Sequence, residues 1–361
     1  MANSMNFVGL DVHAHQTCLV ALDQATGEIK KARLRTAPSG VLGHLHALAP
    51  MRAVYESGPT GLGLARAALD EGLDVRICTP VSGARRPTDR VKTDMRDAER
   101  LARLLAAGEL TFARVPCVEE ERFRDLVRAR EDLRRDLMRA RHRLSKMFLR
   151  REIAYPGPGR AWTRAHMDWL RSFAFQDEPS RVTFADYLAA VELLLQRRST
   201  LNEVIERLWP QSPHAETIAR LRCFRGVDTL TAAGLCAEIG DFGRFRKATH
   251  LFGYLGIVPS ERTTGEQRRL GGITKAGPTH ARRLLVEAAH HCRRTPKVTE
   301  QLNRRQRGQD PRVVAIAWRA QRRLHERWVA LRLERKKPAS VVSVALAREL
   351  AGFCWEAATL D

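Results

Sequence analysis

Apolar residues follow two rhythms along this chain, and the change of rhythm divides it. Over residues 6–35 short apolar runs are closed by turn residues: NFVGLDVHA, then TCLVALD, a turn at Ala25-Thr26-Gly27, then EIKKARLRT. Runs of that kind predict strands joined as a hairpin or meander. GVLGHLHALA has helical spacing, MRAVYE predicts a buried strand ending at Glu56, and LDVRICTP predicts another core strand. Between those two strands TGLGLARAALDEG predicts a helix with Gly72 as its C-cap. A basic connector, GARRPTDRVKT, then leads into a helix that opens with Asp94 and Asp97. Strands alternating with helices predict an α/β sheet domain over residues 1–115.

From residue 116 the rhythm changes. EEERFRDLVRAREDLRRDLMRARHRLSKMFLRRE contains no Gly or Pro and is dense in Arg. Its apolar residues Phe123, Leu126, Val127, Leu133, Leu137, Leu144, Met147 and Phe148 recur at helical spacing. The pattern predicts a long amphipathic helix, an antiparallel coiled-coil arm over residues 116–212 with a second helix from about 184 to 209 packed back on the first. Tyr155-Pro156-Gly157-Pro158-Gly159 breaks the two apart. Residues 213–361 read as a mainly α module with a basic helical tail, whose Trp318, Trp328 and Trp355 are expected to pack rather than to stack on bases.

Charge narrows the function. The 361 residues carry 62 Lys+Arg against 41 Asp+Glu, a net charge of +21 that is mostly arginine. That excess points to a polyanionic partner, most directly nucleic acid. No apolar run approaches the roughly 18–20 residues of a membrane span, and no secretory leader is expected at the N-terminus. The seven scattered cysteines form no CxxC pair and no disulfide framework, which fits a reducing, cytoplasmic location.

Against this basic background the carboxylates at the predicted strand ends stand out. Asp11 ends the first strand, Glu56 ends a later one, and Asp94 and Asp97 share one side of a helical turn, where like charges repel. Ligands gather at strand ends in open sheets. Four carboxylates there offer the hard oxygen donors that Mg²⁺ prefers, and two such ions stabilise both oxygens of a phosphoryl transfer. Lys92 and Arg96 flank the pair and could meet a phosphate or balance charge.

The C-terminal module carries a second set. LRCFRGVDTLTAAGLCAEIG suggests a helix-hairpin-helix with its hairpin at Gly226-Val227, where amides and a helix N-terminus would hold a phosphate. Downstream, Arg268, Arg269, Lys275, Arg282 and Arg283 can hold phosphates among the hydroxyls of Ser260, Thr263, Thr264 and Thr274. A hydroxyl amid cations can attack a phosphodiester. His290 and His291 point about 100° apart on a helix, which disfavours a shared metal.

GLDVHAHQT, YESGPTGLGLARAALD and KTDMRDAERLARLL resemble the Asp-Glu-Asp-Asp motifs of the DEDD insertion-sequence transposases. The resemblance implies a RuvC-like, ribonuclease-H-type N-terminal domain and gives metal-ligand roles to Asp11, Glu56, Asp94 and Asp97. It extends to the C-terminal module, through Gly256-Ile257-Val258-Pro259 and Gly272-Ile273-Thr274-Lys275-Ala276-Gly277. In the family a serine of an intervening tripeptide is the nucleophile; here that tripeptide is Thr263-Thr264-Gly265, so Thr263, Thr264 or Ser260 is expected to attack. The resemblance further implies donor and target DNA as substrates, a noncoding bridge RNA as guide, a homo-oligomer (dimer or tetramer) whose protomers share the reaction, and action at the prokaryotic nucleoid. Two rivals make different predictions. A junction-type Mg²⁺ nuclease would use water, and a catalytically dead nucleic-acid-binding protein would bind without cutting.

Overall fold

The first three strands form an antiparallel meander, as their turn chemistry requires: β1 (Asn6–Val12), β2 (Gln16–Asp23) and β3 (Ile29–Arg35). The Asp23 carboxylate accepts the amides of Ala25 and Thr26 at 2.9 and 2.8 Å, which folds the turn before β3. After α1 (Pro38–Ala47), strand β4 (Met51–Glu56) pairs parallel to β1. After α2 (Gly63–Asp70), strand β5 (Val75–Cys78) pairs parallel to β4. Then come α3 (Asp94–Ala107) and β6 (Phe112–Ala113), a short antiparallel edge that the sequence pattern did not predict. The sheet order is β3-β2-β1-β4-β5-β6. The computed structural model describes residues 4–58, 60–79, 93–264 and 267–360, without the side chains of Thr264 and Arg268. Lys92 and Gly265 lie outside the described residues.

This sheet has two faces with different partners. Val8, Leu10, Ala53, Tyr55 and Ile77 pack with α1 and α2 on one face. Val54 and Cys78 pack with Leu101 and Leu105 of α3 on the other, beside Cys18, Val20 and Ala98. Each buried leucine of α3 contributes about 2 kcal/mol by removing apolar surface from water. The mixed α/β domain is consistent with a DEDD, ribonuclease-H-like fold.

The chain divides into two compact units, Met1–Pro116 and Cys117–Asp361. In the second, α4 (Val118–Leu149) runs antiparallel to α6 (Glu178–Leu208): Arg130 meets Asn202 near one end and Phe148 meets Phe184 near the other. Between them α5 (Arg164–Ser172), which the pattern did not predict, closes an aromatic cluster with Phe148, Phe175 and Phe184. Helix α6 begins several residues before the predicted start because Asp177 caps it, accepting the Ser180 amide at 2.8 Å.

The remaining core is helical. It comprises α7 (Ala215–Leu221), α8 (Thr229–Ile239), α9 (Ala248–Tyr254), α10 (Thr279–Ala289), α11 (Glu300–Gln306), α12 (Pro311–Trp328) and α13 (Ala339–Ala358). The segment between α9 and α10 forms a two-stranded antiparallel hairpin of β7 (Pro259–Thr264) and β8 (Gln267–Ile273). Its polar, Arg- and Thr-rich strands lack the apolar alternation that marks a half-buried sheet. Trp355 packs as expected, with its indole N–H donating to the Phe245 carbonyl at 3.0 Å. Among the described residues no helix is long and apolar enough to cross a membrane, and the seven cysteines are free thiols.

Candidate active site

The acidic site starts from strand alternation. On β1, Gly9 faces α3 and Leu10 faces α1 and α2, so Asp11 turns back to the α3 face. On β4, Val54 faces α3 and Tyr55 the opposite side, so Glu56 also turns to the α3 face. Gly9 pairs with Val54 and Leu10 with Tyr55, so Asp11 and Glu56 are the next residues on neighbouring parallel strands. The thiol of Cys78, paired with Glu56, is pushed up to about 11 by burial and then by the Glu56 charge, which places that charge on this face.

Helix α3 reaches the same place because of Gly9. A Cβ added to Gly9 would lie 1.9 Å from the Ala98 carbonyl oxygen. Only glycine lets the α3 backbone settle directly on β1. Thr93 then caps the helix, accepting the Arg96 amide on its hydroxyl at 3.3 Å, and Asp94 and Asp97 occupy the first turn. Their charges are favourable to the helix dipole there, which offsets part of their mutual repulsion.

These elements bring Asp11 and Asp94 together around a histidine. His13 Nε2 lies 3.2 Å from Asp11 Oδ2 and 3.6 Å from Asp94 Oδ1. Asp11, His13 and Asp94 each offer a ligand atom within 4.8 Å of the others, the one group of three such residues among the described residues. The carboxyl of Asp11 is raised above its ordinary range, first by burial; His13 opposes the rise, and the charges of Asp94 and Asp97 add to it. Asp97 and Glu56 therefore border the cluster, Asp97 by its field at Asp11 and Glu56 by its register position. Partly exposed oxygens that repel one another are the donor set a hard divalent cation fits. Gly9 and His13 are the residues that sequence reasoning passed over. The signal for His13 was present in its place two residues beyond Asp11, and the signal for Gly9 in a small residue inside an apolar strand run.

The expected hydroxyls lie on the β7–β8 hairpin. Thr263 is exposed, pairs with Arg268 and donates its hydroxyl to Glu261 Oε1 at 2.8 Å. Thr264 pairs with Gln267 by backbone register, and its side chain, like that of Arg268, lies outside the described residues. Ser260 sits where the register slips between Pro259 and Glu261, and a Cβ on Gly271 would come within 2.5 Å of its Oγ. Gly271 thus leaves room for that hydroxyl.

The cations divide by partner. Arg269 donates to Gln267 Oε1 at 3.2 Å on the exposed hairpin. Lys275 has a left-handed backbone, φ 57°, with its amide on the Gly256 carbonyl at 3.0 Å. Arg282 is turned onto carbonyls, meeting Leu255 O at 3.0 Å, Gly277 O at 3.1 Å and the Ala276 oxygen, and so pins the hairpin base. Arg283 reaches Glu131 at 2.6 Å and Glu287 at 2.5 Å. Gly226 has φ 84°, and a Cβ there would lie 2.4 Å from the Ala288 carbonyl, so this glycine serves close packing on α10. Arg96 is exposed on the first turn of α3.

Comparison with known proteins shows what the chain is similar to. A sequence model of DEDD-type transposases matches residues 8–151, and a model described as transposase, IS116/IS110/IS902 family, matches residues 218–303. A putative transposase, y4qE, of Sinorhizobium fredii is 41% identical over 301 residues, covering 83% of this chain and 73% of its own. The transposase for insertion sequence element IS1533 of Leptospira borgpetersenii is 31% identical over 338 residues, covering 92% of this chain and 98% of its own. A probable family 20 transposase of Pseudomonas aeruginosa is 25% identical over 351 residues, covering 96% of this chain and 91% of its own.

Proposed function

Because the chain belongs to the IS116/IS110/IS902 family of insertion-sequence transposases, enzymes acting on DNA, we propose that its strand-end carboxylates bind Mg²⁺, two ions per site, for a DNA phosphoryl transfer. The observation that carries this reading is Asp11 and Asp94 held around His13, with Asp97 raising the Asp11 carboxyl and Glu56 on the adjacent strand. In a chain with net charge +21, a carboxyl raised by burial and by two neighbouring aspartates suits a cation. Asp11, Glu56, Asp94 and Asp97 would hold the metal, and the His13 ring lies against two of these carboxylates. Bound Mg²⁺ supplies Lewis-acid stabilisation of the charge that develops on phosphate oxygens.

The attacking group is a hydroxyl of the β7–β8 hairpin: Thr263, Thr264 or Ser260. Its oxygen forms a bond to phosphorus while the bond from phosphorus to the leaving sugar oxygen breaks. The hydroxyl proton departs, and the leaving oxygen gains one. The product is a protein–DNA phosphoester that keeps the bond energy for rejoining to a second strand. Thr263 is already polarised by its hydrogen bond to Glu261, whose carboxylate is placed to accept the proton. Arg268, Arg269 and Lys275 would hold flanking phosphates, Arg268 and Arg269 lying opposite Thr263 and Arg262 in the hairpin register.

The family resemblance also leads us to propose a bridge RNA guide, donor and target DNA as substrates, and a dimer or tetramer acting at the nucleoid. Purification from cells carrying the flanking DNA tests the RNA: a discrete co-purifying species is expected, and its absence above background removes the guide from the account. The chemistry is tested by incubating protein, Mg²⁺ and co-purified RNA with labelled donor and target DNA, then denaturing. A label carried by the protein, lost in one of Ser260→Ala, Thr263→Ala and Thr264→Ala, identifies the nucleophile. Cut DNA with no protein-bound label in any variant would favour the water-using nuclease.

A further inference from the structure

The second unit holds an arginine-lined cavity that the reaction above does not use. It has a volume of about 230 Å³ and lies where α4, α6, α8 and α10 meet. Arg130 and Arg134 project into it from successive turns of α4, Arg198 from α6 and Arg283 from α10, over the α8 N-terminus at Asp228 and Thr231. We propose that this cavity is a seat for one backbone phosphodiester of a nucleic-acid strand.

Two of the four arginines are fixed in place from behind. Glu131 is 3% exposed and takes Arg134 through 2.8–3.0 Å contacts and Arg283 at 2.6 Å. His280, also buried, backs Glu131 at 3.6 Å and meets the buried Glu238 at 3.2 Å. Arg128 then closes the network with two bonds to Glu238, at 3.1 and 2.8 Å. These anchors hold guanidinium forks in one geometry before any ligand arrives, and such forks match the oxygens of a phosphate.

The other two arginines lack such compensation. Arg130 donates to the neutral Asn202 Oδ1 at 2.8 Å, and Arg198 has no hydrogen-bond or ion-pair partner among the described residues. Burial and then the charge of Arg198 hold Arg130 below the ordinary arginine range, and the same two causes act on Arg141. The guanidiniums therefore repel, and an anion between them relieves that. Two carboxylates also line the cavity: Asp228 is engaged in capping α8, accepting the Thr231 amide at 2.8 Å, and Glu287 in pairing with Arg283. A second cationic cavity of about 300 Å³ also reaches Asp228 and includes Arg225, Arg294 and Arg305. A strand can thus continue past the seat over basic surface. The seat is distinct from the hairpin amides that the sequence suggested, since Gly226 is committed to its contact with α10.

The inference rests on the reading of this chain as a DNA-acting enzyme, and its test is independent of the carboxylates because binding needs neither Mg²⁺ nor cleavage. Anisotropy titrations of the full chain with a labelled DNA duplex and a labelled single-stranded RNA, across a NaCl series, read the seat directly. Arg198→Glu is expected to weaken binding several-fold and to reduce the salt slope by about 0.9 on duplex or about 0.7 on single strand, the value for one lost phosphate contact. Glu287→Gln, which removes the exposed counter-charge of Arg283, is expected to tighten binding, a gain that misfolding cannot produce. Loss on the duplex alone assigns the phosphate to DNA, loss on RNA alone to RNA, and loss on both makes the seat common to the two. Unchanged affinity and slope for both variants on both probes would overturn the proposal.

Discussion

Two clusters of buried or half-buried carboxylates in this chain behave in opposite ways. In the second unit Glu131 and Glu238 are met by arginine and histidine on every side. Burial would push the Glu238 carboxyl up, yet the bonds from His280 and Arg128 hold it at about 2. In the first unit Asp11 meets one histidine and two further aspartates, and its carboxyl is raised. The same residue types form a closed brace in one place and an open, self-repelling site in the other. In a protein so rich in arginine, a carboxyl that its acidic neighbours push up is the informative one.

The largest effect expected is on chemistry. Asp94→Asn should lower strand transfer by about 10³-fold, about 4 kcal/mol of transition-state stabilisation, while DNA binding is retained. Joint loss of binding and transfer would mean that Asp94 supports the fold instead. Glu238→Ala should act the other way round. Removing Glu238 takes both bonds from Arg128 and one partner from His280, which keeps Glu131, and costs roughly 1–3 kcal/mol, visible in denaturant unfolding. A variant as stable as wild type would break the contrast between the clusters.

Gly9→Ala should cost about 1–3 kcal/mol through the clash with the Ala98 carbonyl, and should lower transfer by displacing Asp94 and Asp97. Unfolding and transfer assays on the same sample check both. The pH dependence is a further test. The folded pKa of Glu238 is depressed from 4.5 to about 2, so its contribution is present above pH 4.5 and is lost as pH falls from there toward 2. The stability gap between wild type and Glu238→Gln should narrow over that window, and a constant gap would contradict the assignment. The smallest effect is the most specific. The Asp11 carboxyl is raised, so its contribution is favourable below the unfolded pKa and is lost as pH rises through the folded one. At neutral pH without Mg²⁺, Asp11→Asn should therefore be slightly more stable than wild type, and added Mg²⁺ should stabilise wild type alone. Thermal melts with and without Mg²⁺ would show both.

Short apolar runs closed by turn residues over 6–35 made the meander legible, and the 3- and 4-residue spacing of apolar positions made α4 legible, because that period matches a helix. The acids at 11, 56, 94 and 97 could be found because each ends a strand run or opens a helix. Other features left weaker traces. Strand β6 spans two residues, too few to show a period. The β7–β8 hairpin carries Arg, Thr and Gly where a half-buried strand would show alternation, since both of its faces are largely polar. Helix α5 follows a Pro- and Gly-rich break that suggested continued loop. Gly9 left only the weak trace of a small residue in an apolar run, because its importance lies in what a side chain would strike across the layer. The Glu131–His280–Glu238 network joins three helices far apart in sequence, and no local pattern could reveal it.

The most direct test of the central claim is a Mg²⁺ titration of donor-strand cleavage by wild type and Asp97→Asn, with DNA binding measured in parallel. The account predicts Mg²⁺-dependent cleavage by wild type, abolished by chelation, and no cleavage by a variant that still binds DNA. Cleavage by Asp97→Asn at the wild-type rate and with the same Mg²⁺ dependence would show that these carboxylates are not the metal site.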